Sequence, residues 1–293
     1  MKRTTLLAAL IAAALPFSAA AHKQWLIPSQ AAVNGDDVWV TFDAAVSNQL
    51  FFPDHVPMRL DSVTATAPDG TQVALQNPST GKYRSTFDLP LQQKGTYRIS
   101  SVNTGVSARW DTAESLAAQE KAKAAGTAPP AGGGMGPGGP RGGFLRNATP
   151  EDLATKVPKD AKNLQVTEGV SRVETFVTNG SPSAIKPIGK GLELIPVTHP
   201  NDLVAGEAAN FKFAIDGKPA PGLEVEVVRG GTRYRDAQDE LKAITAADGA
   251  ISLTFPQAGM YWLEASTEDD KTSVKQATKR RLLYVATLEV LPQ

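Results

Sequence analysis

Apolar and polar residues alternate with a period of two along two long stretches of the chain. In residues 22–110 the alternation is clearest at 38–42 and 63–67, and residues 191–293 repeat it, for example at 223–227. Short alternating strands separated by turns rich in glycine and proline are typical of antiparallel β-sandwiches. The pattern therefore predicts an all-β protein with two immunoglobulin-like β-sandwich domains, one in each stretch.

The segment between these stretches has a different composition. Residues 111–164 contain an Ala/Glu/Lys-rich helical stretch at 115–125 and then the run AGGGMGPGGPRGG at 131–143. Such a glycine-rich run cannot bury enough apolar surface to offset the entropy lost on ordering, so we expect a mobile loop there. Thr149 precedes a proline and predicts the N-cap of a short helix. We expect a partly helical insert, followed by a return strand and linker over 165–190.

The first 21 residues have the pattern of a cleavable signal peptide. Two basic residues precede an apolar run at 6–17, and Ala19 and Ala21 match the A-x-A pattern that signal peptidase recognises. The apolar run is shorter than the roughly 20 residues that a membrane-spanning helix needs. The sequence thus predicts an exported, periplasmic protein whose mature chain begins at His22, with cleavage one residue earlier as the alternative.

Composition narrows the function classes. The chain has 30 basic and 30 acidic residues, and without the two basic residues of the signal peptide its formal charge is 28 − 30 = −2. No basic stripe is present, so we expect no nucleic-acid partner. Cysteine is absent, so a metal site must use nitrogen and oxygen ligands, with methionine as a soft addition. The motifs of serine hydrolases, phosphate loops and zinc peptidases do not occur, and we expect no enzyme activity.

Three histidines are the candidate metal ligands. Cleavage before His22 would place a free α-amine and an imidazole Nδ1 on one residue, and the two together can chelate a divalent ion. His55 lies in a proline-rich turn beside Asp54, whose carboxylate can ligate the ion or orient the imidazole. His199 lies before a proline, near the predicted junction of the domains. The sequence predicts a site formed by His22, His55 and His199; the alternative is three surface or hydrogen-bonded histidines, since no close H-x-H spacing is present.

A second polar cluster follows the strand at 223–228. Arg233 and Arg235 flank Tyr234, and two guanidinium groups in this arrangement can clamp a carboxylate or a chelated anion. The alternative is a solvated hairpin in which these arginines pair with nearby Asp and Glu residues and contribute little to stability.

Five segments of the chain carry a resemblance to known proteins: HKQWLIPS at 22–29, the block at 38–52 that leads into Asp54 and His55, GLEL at 191–194 leading to His199, DGKP at 216–219 and GMYWL at 259–263. In these segments the chain resembles a family of bacterial periplasmic proteins of unknown function that are linked to nickel or cobalt uptake. The resemblance covers nearly all of the predicted mature chain apart from the glycine-rich insert. The second domain also resembles carboxypeptidase-regulatory or transthyretin-like sandwiches.

The resemblance implies a periplasmic, non-enzymatic accessory protein of a transition-metal uptake system. We therefore expect a bound divalent metal, which is nickel, cobalt or copper, with iron as a further candidate. The expected partner besides the ion is an inner- or outer-membrane metal transporter. Two alternatives stay open: a copper redox enzyme with a histidine brace at His22, and a non-catalytic envelope scaffold or adhesion module in which the histidines lie far apart.

Overall fold

A computed structural model of the protein describes residues 22–126 and 142–293. The predicted signal peptide and most of the glycine-rich run lie outside the described residues. Within them, strands make up most of the regular structure. The strands are β1 (Lys23–Pro28), β2 (Ala32–Val33), β3 (Trp39–Ser47), β4 (Val56–Pro57), β5 (Val63–Thr66), β6 (Gln72–Val73), β7 (Gln76–Thr80), β8 (Ser85–Pro90), β9 (Gly95–Asp111), β10 (Gly143–Ala148), β11 (Lys162–Asn179), β12 (Leu192–Pro196), β13 (Ala208–Ile215), β14 (Lys218–Pro219), β15 (Glu224–Arg229), β16 (Leu241–Ile244), β17 (Ala250–Thr254), β18 (Gly259–Asp269) and β19 (Lys279–Val290).

The strands form three sheets. A 10-stranded central sheet has the order β16-β15-β18-β19-β11-β9-β5-β6, with β10 beside β9 and β2 beside β11. A 5-stranded N-terminal sheet has the order β1-β3-β8-β7, with β4 paired to β3. A 4-stranded C-terminal sheet consists of β12, β13, β14 and β17. The all-β, two-sandwich prediction is confirmed.

The two smaller sheets cover opposite faces of the central sheet. Successive side chains of a strand point to opposite faces, and β19 shows the consequence. Tyr284 and Ala286 belong to the core under the C-terminal sheet, whereas Val285 belongs to the core under the N-terminal sheet. The central sheet is therefore shared by both sandwiches.

The long strands β9 and β11 and a parallel strand pair build this shared sheet. β9 has 17 residues and β11 has 18, and they pair antiparallel with each other. β11 also pairs in parallel with β19, from Thr167 opposite Lys279 to Thr175 opposite Thr287. The hydrophobic alternation alone did not predict that the two sandwiches would be joined by a common sheet.

The insert contains two capped helices, α1 (Ala113–Ala124) and α2 (Pro150–Lys156). Thr112 and Thr149 are the N-caps, and each forms a capping box with the residue three positions later. This confirms the helix predicted near 115–125 and the cap predicted at Thr149. Leu153 of α2 packs into a small third core with Trp110 of β9. In the described part of the chain, no helix is long and apolar enough to cross a membrane.

Candidate metal centre

His22 and His55 lie close together because β1 and β4, the strands that follow them, both pair with the end of β3. Lys23, at the start of β1, pairs with Ser47 at the end of β3. Val56 of β4 then pairs with Val46, one residue further back along β3. His22 directly precedes β1 and His55 directly precedes β4, so both histidines lie where β3 ends.

The two imidazole rings are in direct contact. Their centroids are 3.9 Å apart and their planes are 16° from parallel, which is a stacked arrangement. Both residues are exposed to solvent. The structure therefore brings together two of the three histidines that the sequence predicted as ligands.

The turn that carries His55 is fixed by hydrogen bonds at its base. The backbone N–H of Asn48 donates to Oδ1 of Asp54 at 2.7 Å, and the N–H of Phe52 donates to the carbonyl of Gln49 at 3.2 Å. Phe51, in a left-handed backbone conformation with φ 57°, packs edge-on against Trp25 with centroids 5.8 Å apart. In the described residues, the carboxylate of Asp54 orders this turn and makes no hydrogen bond to a histidine.

The central sheet holds the chain next to His22. The indole of Trp262 in β18 donates a hydrogen bond to the carbonyl of Gln24, and Nζ of Lys23 lies 4.4 Å from the centroid of the same indole ring. Burial raises the pKa of Glu264, which the positive charge of Lys23 opposes and the negative charge of Glu226 reinforces. The start of β1 thus lies in a charged contact between the two sandwiches.

The predicted arginine cluster contacts the turn that carries His55. Cζ of Arg233 is 4.0 Å from the ring centroid of Phe52, which precedes His55 by three residues. Tyr234 is 84% exposed, so it contacts little of the protein. The sequence could not predict this contact, because Phe52 and Arg233 are far apart along the chain and no local pattern links them.

Arg235 has a different role from the one predicted. Its guanidinium donates to the carbonyls of Gly230, Arg229 and Gln238 at 2.8–3.1 Å. An ion pair with Asp239 at 3.4 Å adds to these bonds. Because both of its terminal nitrogens donate within its own loop, Arg235 anchors the loop, whereas Arg233 is exposed.

His199 lies in another part of the molecule. Its Nε2 is 3.0 Å from Oγ1 of Thr96, and its Nδ1 accepts a hydrogen bond from the N–H of Asn201 at 3.1 Å. Thr96 lies opposite Thr178 in the central sheet, and Thr178 pairs with Ala32, just beyond the far end of β1. Burial lowers the pKa of His199.

The prediction that all three histidines share one site is not met by His199. His22 precedes β1, and β1 is about 20 Å long at roughly 3.3 Å per residue. His199 lies beyond its opposite end and uses both ring nitrogens in a network of hydrogen bonds. Within residues 22–126 and 142–293, no group of three or more His, Cys, Asp or Glu side chains is arranged to hold a metal.

The fold and the stacked histidines together define an all-β protein of two sandwiches with a pair of imidazoles at one sheet edge. The chain belongs to the family described as Domain of unknown function (DUF4198), whose model matches residues 19–269. No curated protein matches the chain.

Solved structures that are similar to the chain include the following three. The D0-D1 domain of intimin is 10% identical, with a TM-score of 0.20, and the match covers 90% of this chain and 97% of that one. The human OSCAR ligand-binding domain is 12% identical, with a TM-score of 0.19 and coverage of 92% and 99%. Escherichia coli alpha-2-macroglobulin is 12% identical, with a TM-score of 0.18 and coverage of 90% and 30%.

Proposed function

We propose that the mature protein is a periplasmic metal-binding accessory protein of a transition-metal uptake system, and that its metal binds at His22 and His55. The observation that carries the proposal is the contact between the two rings, whose centroids are 3.9 Å apart. The ring nitrogens of a stacked pair lie in nearly parallel planes, so binding one ion through both rings would require rotation about their side-chain torsions, and the exposure of both side chains leaves room for it. Both side chains are exposed, as a site that receives and passes on an ion requires.

The third donor of the centre would come from maturation. Cleavage after Ala21 converts the backbone nitrogen of His22 into a free α-amine, and this amine and Nδ1 of the same residue close a chelate ring around the ion. With a nitrogen of His55, the donor set is three nitrogens. Copper, nickel and cobalt all accept such donors, and for a given nitrogen site the affinity order places copper above nickel and nickel above cobalt.

The choice of a nickel or cobalt uptake system rests on the family resemblance and not on the donor set. The same donors would hold copper more tightly, so the natural ion depends on which metal is available in the compartment. A membrane transporter is the proposed recipient, because the imidazole pair lies at an exposed sheet edge rather than in a closed cavity.

Metal titration of two forms of the protein tests the proposal. One form begins with an authentic His22, and the other retains Ala21 as one additional residue. Affinities for Cu²⁺ and Ni²⁺ are measured by competition with a chromophoric chelator. We expect the additional residue to weaken binding about tenfold or more, since even an outer partner of a ligand contributes about 10- to 100-fold to affinity.

Two substitutions complete this experiment. His55→Ala should weaken binding to a similar extent in the His22 form, because it removes one of three nitrogens. His199→Gln is the matched control and should leave the affinity unchanged, since His199 lies at the other end of the N-terminal sandwich. Equal affinity of all four proteins would reject the metal centre and favour the scaffold alternative.

A further inference from the structure

The proposed centre has fewer protein donors than a transition metal takes up. The amine and imidazole of His22 and the imidazole of His55 supply three nitrogens, whereas copper and nickel in tetragonal or square-planar sites bind at least four donors. In the described part of the chain, no cluster of three or more His, Cys, Asp or Glu side chains completes the set. At least one position on the metal is therefore left for a ligand from outside the protein.

A positively charged side chain lies against the turn that carries His55. Arg233 stacks on Phe52, with Cζ 4.0 Å from the ring centroid, and Phe52 belongs to the turn that carries His55. The loop of Arg233 packs closely against this turn. The N–H of Gly230 donates to the carbonyl of Met260 in β18 at 2.7 Å, and a methyl group added at Gly230 would lie only 2.9 Å from the ring of Phe51.

The N–H groups of the Arg233 guanidinium make no hydrogen bond or ion pair with the described residues. Arg233 is exposed, and among the described residues its guanidinium has only ring contacts, with Phe52 and Tyr234. Neighbouring Arg235, by contrast, donates to three carbonyls. A guanidinium that lies over an aromatic ring still presents N–H groups along its edge, in a fork that matches the two oxygens of a carboxylate.

The charge of Arg233 favours an outside ligand that carries carboxylates. Lys23, which directly follows His22, does not add to this charge, because its Nζ lies 4.4 Å from the centroid of the Trp262 ring and its positive charge acts on Glu264. A ligand with two carboxylates can give one to the metal and the other to Arg233.

We propose that Arg233 binds the second carboxylate of a small dicarboxylate ligand of the metal, so that the centre holds its ion as a ternary complex of protein, metal and carboxylate. This inference rests on the proposed function, since it requires the metal at His22 and His55. It assigns to Arg233 the selection of the outside ligand, and it leaves binding of the ion itself to the three nitrogens.

The test uses the His22 form loaded with Cu²⁺ and titrated with malonate, which can bind the copper through both of its carboxylates or through one while the other binds Arg233; only the second mode depends on Arg233. Binding is followed by the shift of the copper visible absorption band and by calorimetry. We expect Arg233→Gln to weaken malonate binding about tenfold, the effect of losing a hydrogen-bonded charge pair. Acetate, with one carboxylate, should bind both proteins equally, and the metal-free protein should not bind malonate.

Three further arms make the outcome decisive. Arg146→Gln is the matched control, because Arg146 is an exposed arginine with Cζ 5.1 Å from the ring centroid of Phe144 in the insert, and it should behave like the wild type. Arg233→Lys should recover only part of the malonate affinity, since it restores the charge without the fork. Inorganic phosphate replaces malonate in the last arm and should bind more weakly.

Different results would reject the role of Arg233 and the metal centre itself. Copper affinity that survives in Arg233→Gln, together with unchanged malonate affinity, overturns the role of Arg233 and leaves the metal centre intact. Phosphate binding that is tighter than malonate binding and depends on Arg233 overturns the carboxylate assignment. Absence of copper binding by the unsubstituted His22 form rejects the centre itself, before any ligand is added.

Discussion

The indole Nε1 of Trp262 donates a hydrogen bond to the main-chain carbonyl of Gln24 at a distance of 3.0 Å. Trp262 belongs to the central sheet and is 2% exposed, and Gln24 lies in β1, two residues after His22. The bond therefore joins β18 of the central sheet to the strand that positions the first histidine. The geometry of the proposed centre depends on this strand from the C-terminal part of the chain, although its two histidines belong to the N-terminal part.

Replacement of Trp262 by phenylalanine tests this dependence. The substitution removes the hydrogen bond to Gln24 and the larger ring under Lys23, and leaves the carbonyl of half-buried Gln24 without this donor. We expect the free energy of unfolding to fall by about 1–3 kcal/mol. Urea unfolding followed by circular dichroism measures this loss, and copper titration of the His22 form should show weaker binding.

Trp39→Phe provides the matched control for Trp262→Phe. Trp39 is 50% exposed, and its Nε1 donates to the exposed carboxylate of Asp37 at 3.2 Å. Its loss should change the free energy of unfolding by less than about 0.5 kcal/mol. Equal effects of the two substitutions would mean that the Trp262 bond does not stabilise the contact between the sandwiches.

The fold could be predicted from the sequence wherever local physics determines it. Alternation places strands, and Thr112 and Thr149 cap their helices through bonds to residues three positions away. The shared sheet could not be predicted, because it depends on the parallel pairing of β11 with β19. Thr167 and Lys279 are paired there although they are 112 positions apart, and the alternation of apolar and polar residues does not indicate which distant strand will be the partner.

The candidate site could be predicted only in part, for the same reason. The signal-peptide pattern drew attention to His22, and its neighbour His55 lies in a turn with prolines on both sides. His199 also precedes a proline, so local sequence does not distinguish the two. The difference arises from Thr96, which is 103 residues away and hydrogen-bonds to His199. Contacts between distant segments decide which histidine is exposed.

Gly230→Ala should disturb the loop that carries Arg233. A Cβ at this position would lie 2.9 Å from Cδ2 of Phe51 and 3.2 Å from the carbonyl oxygen of Met260, so the loop would have to move away from the His55 turn. We expect a loss of about 1–3 kcal/mol, which is typical of overpacking. Thermal unfolding measures the loss, and malonate binding by the copper-loaded protein should weaken.

Gly169→Ala is the comparison for Gly230→Ala. Gly169 lies in β11, where an added Cβ would meet only the carbonyl oxygen of Gly105, at 3.6 Å, which is an ordinary contact. This variant should be at least as stable as the wild type and should keep its affinity for malonate. A larger loss at Gly169 than at Gly230 would contradict the close packing of the two loops.

The protonation of His199 should contribute to the pH dependence of stability. Burial lowers the pKa of His199 below its ordinary value of 6.5, and a bond with the backbone of Ser183 and the charge of Asp202 oppose the shift only in part. Below pH 6.5 the unfolded chain therefore binds more protons at this residue than the folded chain does. The free energy of unfolding should be highest above about pH 6.5 and should fall as the pH decreases towards the lower, folded-state pKa.

His199→Gln isolates this contribution. The amide of glutamine does not titrate, so the difference in free energy of unfolding between wild type and variant should shrink as the pH is lowered from 7.5 to 5. Chemical denaturation at a series of pH values measures both proteins. A difference that stays constant over this range would show that His199 has the same pKa in the folded and unfolded chains.

The central sheet contains a buried carboxylate, that of Glu174. Glu174 is 1% exposed and accepts hydrogen bonds from Ser100 and Tyr284, each at 3.0 Å. Nη1 of Arg172 lies 3.3 Å and Nε of Arg98 lies 3.8 Å from the same carboxylate oxygen. Burial, reinforced by the charge of Glu174, raises the pKa of Tyr284 well above its usual value, so the phenol remains a donor.

Glu174→Gln should be strongly destabilising because it leaves two buried guanidinium groups without a counter-charge. Nε of Arg98 and Nε of Arg172 have no hydrogen-bond partner even with the carboxylate present. Breaking a buried ion pair on one side costs about 3–5 kcal/mol. For comparison, Asp248→Asn breaks a 2.8 Å pair with Lys212 whose side chains are 58% and 45% exposed, and it should cost no more than about 1 kcal/mol. Urea denaturation of both variants measures the difference, and comparable losses would mean that water or a rearranged side chain already compensates the charges of Arg98 and Arg172.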